Sequence, residues 1–261
     1  IPNCKVGVRL RENFFKKFNI PVSCEVNNTI FKKLFYENST MNKIDKEIFQ
    51  KNIDKIIWLY SFKEDTINIR PYKDEIREYE EVAIIEVLLL NDTKIKRISE
   101  IIQKTIPYPL ILVFHYEDKV LFNAAHKRIN KADENKNTVE EYIYTDWISF
   151  LRFSDREEKF IESMNIKGLS FNNVYRFYCD VIDRINIFNA SKYQSDFEAL
   201  NIKGVVKVKA IVNEIEKLDV EILKLKSKIK YEAQFNKKVE MNIEIKKNET
   251  RRKQLIQVLN N

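Results

Sequence analysis

Apolar residues recur along the chain at two spacings, and each spacing predicts a different kind of element. Steps of three and four positions predict helices, whereas short runs rich in β-branched residues predict strands. The helical spacing occurs in five segments ahead of residue 200: Ile30–Tyr36, Ile44–Tyr60, Ile95–Lys104, Glu157–Asn165 and Asn172–Phe188. Strands are predicted over five segments: Thr66–Ile69, Val82–Leu90, Leu110–Tyr116, Val120–His126 and Val139–Tyr144.

The connections between these segments predict how the strands pair. Three residues, Glu117–Lys119, separate two of the strands and predict an antiparallel β-hairpin. A helix precedes that hairpin and follows another strand, which is typical of a mixed sheet with helices on it. The chain has only three Gly and five Pro, too few for the many tight turns of an all-β sandwich. We therefore predict an α/β (α+β) body, with a small mixed or antiparallel sheet flanked by helices.

The segment after Gly204 has a different pattern and contains neither Gly nor Pro. Its apolar positions alternate in steps of four and three, the spacing of a coiled-coil seam. These positions are Ile211, Ile215, Leu218, Ile222, Leu225 and Ile229, and Val239 and Ile243 continue the register. We predict a body over residues 1–204 and a coiled-coil-like helical tail over 205–261. Because polar Glu232 and Asn236 occupy seam positions, one long helix and a hairpin broken near Phe235 both stay open.

Charge is concentrated in the same tail. After residue 204 there are fourteen Lys and Arg and eight Asp and Glu, a net charge of +6 within a chain total of +7. Such cations can bind nucleic-acid phosphates with sequence-independent, salt-sensitive affinity. The candidate nucleic-acid-binding residues are Lys224, Lys226, Lys228, Lys230, Arg251, Arg252 and Lys253. The alternative is a solvated outer face of an ordinary helix pair.

An apolar stripe on a lone helix must be covered by the same chain or by a partner. The six seam positions from Ile211 to Ile229 are therefore candidate partner-binding residues, and a homodimer through the tail is one way to cover them.

Candidate catalytic groups are sparse. Glu81, Glu86 and Lys127 lie in or beside predicted strands and are weak candidates for a metal-dependent nuclease, although the usual Asp then Glu-x-Lys run is missing. We expect His115 and His126 to be partly buried, hydrogen-bonded residues.

The same residues argue against several other classes of protein. The usual nucleotide-binding loops are absent, so no cofactor is expected. The three cysteines form no CxxC pair, so neither a metal site nor a disulfide framework is expected. The start of the chain shows no signal-peptide pattern and no apolar run reaches membrane-spanning length, which favours a cytoplasmic protein without a membrane segment.

Several short motifs carry a resemblance to a known family over about residues 20–259. They are Lys32–Glu37, Ile56–Tyr60, Thr66–Ile69, Ile106–Pro109, Ala125–Arg128 and Gln234–Glu240. Their order and spacing resemble a bacterial family of unknown function that is often encoded beside helicases and DNA methyltransferases of restriction-like phage-defence systems. The family pattern begins its first block with Ile-Pro-Lys, whereas this chain has Ile30-Phe31-Lys32, so a turn at that proline is not expected here.

Three hypotheses of function follow. The first is an accessory subunit that binds DNA or a partner, which the resemblance suggests is a helicase or methyltransferase. The second is a metal-dependent nuclease-like subunit that uses Glu81, Glu86 and Lys127. The third is a structural protein that associates with itself through the tail.

Overall fold

The computed structural model describes residues 14–130, 137–149, 151–194 and 196–261. Contacts divide the chain into a first unit that ends at Ile185 and a second unit that begins at Asn186. This division falls inside a helix, ahead of the boundary that we predict at Gly204.

Helices and strands alternate in the first unit, whereas the second unit is helical in its described residues. The helices are α1 Lys32–Asn38, α2 Lys43–Asn52, α3 Glu64–Ile67, α4 Ile95–Thr105, α5 Asp155–Ser163, α6 Val174–Ala190, α7 Phe197–Lys203, α8 Val205–Tyr231 and α9 Phe235–Asn260. The strands are β1 Glu25–Thr29, β2 Ile53–Phe62, β3 Tyr72–Lys73, β4 Glu78–Tyr79, β5 Val82–Leu89, β6 Leu110–Tyr116, β7 Lys119–Ile129, β8 Asn137–Tyr144 and β9 Ile148–Ser149.

A mixed sheet forms the centre of the first unit and confirms the predicted fold class. In the described residues it has seven strands, in the order β1-β2-β5-β6-β7-β8, with β9 also paired to β7. The pairing of β5 with β6 is parallel, because α4 crosses over between them, and the other pairings are antiparallel. The strands at the centre are apolar on both faces because helices cover both faces.

Each face of the sheet has its own packing partners. On one face, Phe35 of α1, Phe49 of α2 and Ile102 of α4 pack with Ile85 and Leu112 of the sheet. On the other face, aromatic rings surround Phe122 of β7: its neighbours include Phe14, Phe18 and Phe160, at centroid distances of 6.0, 6.2 and 5.6 Å.

The predicted helix Ile44–Tyr60 is wrong in its second half, where β2 begins at Ile53. Helix α2 ends at Asn52, whose side-chain amide donates to the carbonyl of Thr93 at 3.0 Å. The residues from Ile56 to Tyr60 are nearly all apolar, so they satisfy a helical spacing and a buried strand equally well. The strand is favoured because β2 pairs with β1 on one side and with β5 on the other.

Two other local predictions are also wrong. Thr66–Ile69, predicted as a strand, overlaps the short helix α3, where the Thr66 hydroxyl accepts from the Lys63 amide at 3.0 Å and caps the turn. Asn27–Asn28, which we interpret from sequence as a turn, lies within β1. Asn27 has a φ of 50° at an irregularity in the pairing of β1 with β2, so its turn-forming tendency produces a bulge instead. The polar loop predicted over 131–137 lies outside the described residues except for Asn137.

The second unit is built around a helical hairpin. Helix α8 ends at Tyr231, residues 232–234 form the connection, and α9 begins at Phe235. The hairpin is antiparallel, because Lys226 near the end of α8 pairs with Glu249, and Glu214 earlier in α8 pairs with Arg251 further along α9. The chain therefore adopts the second of the two tail structures left open by the sequence.

Candidate functional site

The predicted nucleic-acid-binding residues all lie on the hairpin and are exposed, except for half-buried Arg252. Three of them form ion pairs between the two helices: Lys226 with Glu249 at 2.9 Å, Arg251 with Glu214 at 2.9 Å and Arg252 with Asp219 at 2.6 Å. The other four, Lys224, Lys228, Lys230 and Lys253, form no ion pair with a carboxylate of the described residues. The seven candidates therefore divide into three that pair across the hairpin and four exposed lysines without such an ion pair.

Pairing does not remove the positive charge from the surface. The side chains of Lys226 and Arg251 remain 52% and 53% exposed. Surface ion pairs of this kind contribute only about 0–1 kcal/mol, so a phosphate can compete for the cation. The net charge of the second unit stays at +6, because Lys192 and Lys203 balance Asp196 and Glu198.

The predicted seam residues face the interior of the hairpin. Ile211, Ile215, Ile222 and Leu225 are buried, and Leu218 and Ile229 are partly buried beside them. Their neighbours include Ile245, Leu255 and Leu259 of α9. The same chain thus covers the stripe, and these residues would meet a partner only if α8 and α9 separated.

The seam register predicted after the break is wrong. Val239 and Ile243 are 40% and 64% exposed, whereas Met241 and Ile245 pack against α8. The three-residue connection rotates α9, so a register extrapolated from α8 no longer applies. An open depression of about 470 Å³ lies along α9. It is lined by Ile243, Lys246, Lys247, Thr250, Arg251 and Gln254.

The three catalytic candidates do not come together. Glu86 is fully buried in β5, where its Oε1 lies 3.3 Å from Nδ1 of His115. Pairing places Glu86 level with Val113 and Phe122. Lys127 lies five residues further along β7, a rise of roughly 16 Å from Phe122 along the strand, and on the opposite face of the sheet. Glu81, at the start of β5, accepts a hydrogen bond from the hydroxyl of Ser61.

Lys127 has a structural environment instead. Its Nζ donates to the carbonyls of Ile106, at 2.6 Å, and Tyr108. Burial lowers the pKa of Lys127 well below that of a free lysine. A neutral amine keeps two N–H donors, one for each carbonyl, so the side chain ties the Ile106–Pro109 segment to β7 without requiring a buried charge.

A second cluster, centred on His126 in the first unit, was not predicted from the sequence. The hydroxyl of Tyr79 lies 3.1 Å from Nδ1 of His126, and Sγ of Cys179 lies 4.0 Å from Nε2. The rings of Tyr175 and Tyr178 flank the imidazole at centroid distances of 5.6 and 5.4 Å. Because β4, β7 and α6 bring these residues together across 47 to 53 positions, no local pattern could reveal them.

The chemistry of this cluster favours stable packing over catalysis. Burial raises the pKa of Cys179, so the unreactive thiol is favoured over the thiolate. Burial likewise raises the pKa of Tyr79 and of Tyr178. The hydroxyl of Tyr79 accepts from the Lys127 amide at 2.8 Å and donates to the Lys127 carbonyl at 3.0 Å, which satisfies backbone groups of β7 that lie beyond the first residue of β6.

Two further features concern the described residues 14–130, 137–149, 151–194 and 196–261. No three His, Cys, Asp or Glu side chains within them lie close enough together to hold a metal ion. Every helix in the described ranges is too short or too polar to cross a lipid bilayer.

Fold and candidate site together define a class: an α/β protein whose chain continues from a seven-stranded mixed sheet into a basic helical hairpin. The chain belongs to the family described as domain of unknown function (DUF4391), whose model matches residues 18–251 and so reaches from the first unit into α9. Neither the curated proteins nor the solved structures contain a match.

Proposed function

We propose that the protein is a DNA-associated accessory subunit that binds the phosphate backbone through its helical hairpin. One observation carries the proposal: the hairpin closes its apolar seam internally and leaves a net charge of +6 on its outer surface. Each lysine or arginine that neutralises a phosphate releases a counterion, which favours binding at low salt.

Three further observations support this surface as the binding site. Lys224, Lys228 and Lys230 are exposed in the last two turns of α8 and pair with no described carboxylate. Lys246 and Lys247 are exposed on α9 and line the same depression as Ile243. The residues up to 185 carry a net charge of only +1, so the attraction belongs to the second unit. A merely solvated face would need no such separation of charge.

The partner is part of the same proposal. The sequence motifs resemble those of a family that is often encoded beside helicases and DNA methyltransferases of phage-defence systems. This resemblance suggests a cytoplasmic complex with one of these enzymes, in which DNA is the shared substrate. The enzymes would supply the chemistry and this subunit would supply additional contacts to the DNA.

Charge reversal tests the proposal. In the variant Lys224→Glu/Lys228→Glu/Lys230→Glu, Lys226 is left intact so that its ion pair with Glu249 still joins the helices. We expect this variant to bind a 30-base-pair duplex at least about 10-fold more weakly than wild type at 50 mM salt. Fluorescence anisotropy with a labelled duplex measures the change.

The matched control is Lys43→Glu/Lys46→Glu/Lys55→Glu, which removes the same charge from three exposed lysines of the first unit. We expect less than about a 2-fold change for this control, because these lysines do not belong to the hairpin that the proposal assigns to DNA binding. Equal affinity in the two triple variants would show that the hairpin is not the DNA-binding surface.

A further inference from the structure

The connection between the two hairpin helices exposes two aromatic rings. Tyr231, the last residue of α8, is 87% exposed, and Phe235, the first residue of α9, is 75% exposed. The seam ends before them, in the small cluster of Ile222, Leu225 and Ile245 with Ile229 and Met241. Neither ring therefore contributes to holding the hairpin together.

Cations surround these two rings. Lys228 and Lys230 precede Tyr231, and Lys237 and Lys238 follow Phe235. The single carboxylate in the connection, Glu232, accepts a hydrogen bond from the Gln234 amide at 2.8 Å. That hydrogen bond, with a smaller contribution from Lys237, lowers the pKa of Glu232, so the carboxylate is already engaged locally. We define residues 228–238 as the hairpin tip.

We propose that the hairpin tip binds single-stranded nucleic acid, with Tyr231 and Phe235 stacking on unpaired bases while the neighbouring lysines contact the phosphates. This inference rests on the proposed function and names its preferred substrate class. Exposed aromatic rings beside a basic surface are the combination that single-strand-binding proteins use, because every base has a π-face and every nucleotide a phosphate.

The combination of exposed rings and neighbouring cations favours the binding of unpaired strands over duplex. In a duplex, the faces of the bases are covered by their stacked neighbours, so the rings would have no base to stack on and only the lysines would bind. An anionic membrane would also attract the lysines, but an interfacial helix needs a broad apolar face. Here the exposed large apolar residues of α9 are Phe235, Val239 and Ile243 at intervals of four, with Glu240 and Glu244 between or beside them, and Val258 near the other end of the helix.

The test compares a ring-deletion variant with a matched control in the full chain. Tyr231→Ala/Phe235→Ala removes the two rings and no charge. Ile202→Ala/Val206→Ala removes two other side chains of the second unit that are 79% and 86% exposed. Each protein is titrated by fluorescence anisotropy with a labelled 30-nucleotide oligothymidine and with a blunt 30-base-pair duplex, and circular dichroism verifies that helix content is unchanged.

We expect the ring-deletion variant to bind the oligothymidine about 10-fold or more weakly than wild type, because each stacked base contributes several-fold or more to affinity. Its affinity for the duplex should change less than about 2-fold. The control variant should match wild type on both probes. Equal losses on the two probes, or no loss on the oligothymidine, would overturn the stacking proposal.

The outcomes separate this inference from the proposed function. If charge reversal of Lys224, Lys228 and Lys230 weakens both probes and ring deletion weakens neither, the hairpin binds DNA without stacking, and only the inference fails. If wild type binds neither probe, both proposals fail. If ring deletion instead abolishes binding to vesicles with anionic phospholipids, and oligothymidine does not bind, the tip docks on lipid and the inference is wrong.

Discussion

At the scale of single residues, the motifs behind the family resemblance have structural partners. Lys127 in the Ala125–Arg128 motif donates to carbonyls of the Ile106–Pro109 motif. The ring of Trp58, from a third motif, lies 6.1 Å from that of Tyr108. Tyr178 adds its hydroxyl, which accepts from the Ala125 amide at 3.0 Å and lies 2.8 Å from the Leu110 carbonyl. These motifs therefore describe how the sheet is held together.

The buried amine of Lys127 gives a pH-dependent prediction. Burial lowers the pKa of Lys127 in the folded chain. At pH values between this pKa and that of the unfolded chain, the unfolded chain therefore binds a proton that the folded chain lacks. The contribution to the free energy of unfolding therefore rises with pH within this window, by at most about 1.4 kcal/mol per unit, and is lost as pH falls. Lys127→Met removes this titration. The free energy of unfolding measured with urea should therefore increase more for wild type than for the variant between pH 7 and 9.5.

Lys119→Met is the control for that experiment, because Lys119 is exposed on the same strand. Its unfolding free energy should differ from that of wild type by a constant amount across the pH range. A pH-independent difference for Lys127→Met as well would mean that Lys127 stays charged when folded.

At the scale of elements, the sequence predicted those whose pattern has a single interpretation. The run Leu110–Tyr116 is apolar, short and preceded by Pro109, and β6 has the predicted bounds. The segment from Ile53 to Tyr60 has apolar residues at so many positions that helical and extended spacings both fit, and its two sheet neighbours decide. The hairpin break at 232–234 lacks Gly and Pro, so no local residue type marked it as a certain end of the helix.

The hairpin provides a prediction at this scale, because two leucines of α8 that are two positions apart have opposite environments. Leu225 is 8% exposed in the cluster with Ile222 and Ile245, whereas Leu223 is 68% exposed. Leu225→Ala should destabilise the hairpin by about 2 kcal/mol or more, because the deleted methyl groups leave a gap in the seam. Hydrogen exchange of amides in residues 220–248 should accelerate accordingly.

Leu223→Ala is the matched control and should change the same exchange rates by less than about 0.5 kcal/mol in free energy of opening. Similar acceleration in the two variants would indicate that α8 packs on α9 through a different face, which would return the seam to the role of a partner-binding surface.

At the scale of the whole molecule, charge and apolar surface are distributed differently between the two units. The first unit buries a large apolar core and carries almost no net charge, whereas the second has two small apolar clusters and nearly all the excess of cations. This separation could be counted from the sequence alone. The sequence did not determine whether the apolar stripe would need a partner, because this depended on whether α9 folds back onto α8.

The separation of charge predicts a particular salt dependence for DNA binding. Each phosphate neutralised on duplex DNA contributes a slope of about −0.9 to the plot of log association constant against log salt concentration. Between three and seven contacts from the hairpin cations would give a slope of about −3 to −6 for wild type. Reversal of Lys224, Lys228 and Lys230 should reduce its magnitude by about 3, whereas reversal of Lys43, Lys46 and Lys55 should leave it unchanged.

Ring deletion at Tyr231 and Phe235 should also preserve the duplex slope, because stacking releases no counterions. A wild-type slope shallower than about −1 would mean that the hairpin makes at most one phosphate contact, too few for its excess of cations to explain any binding.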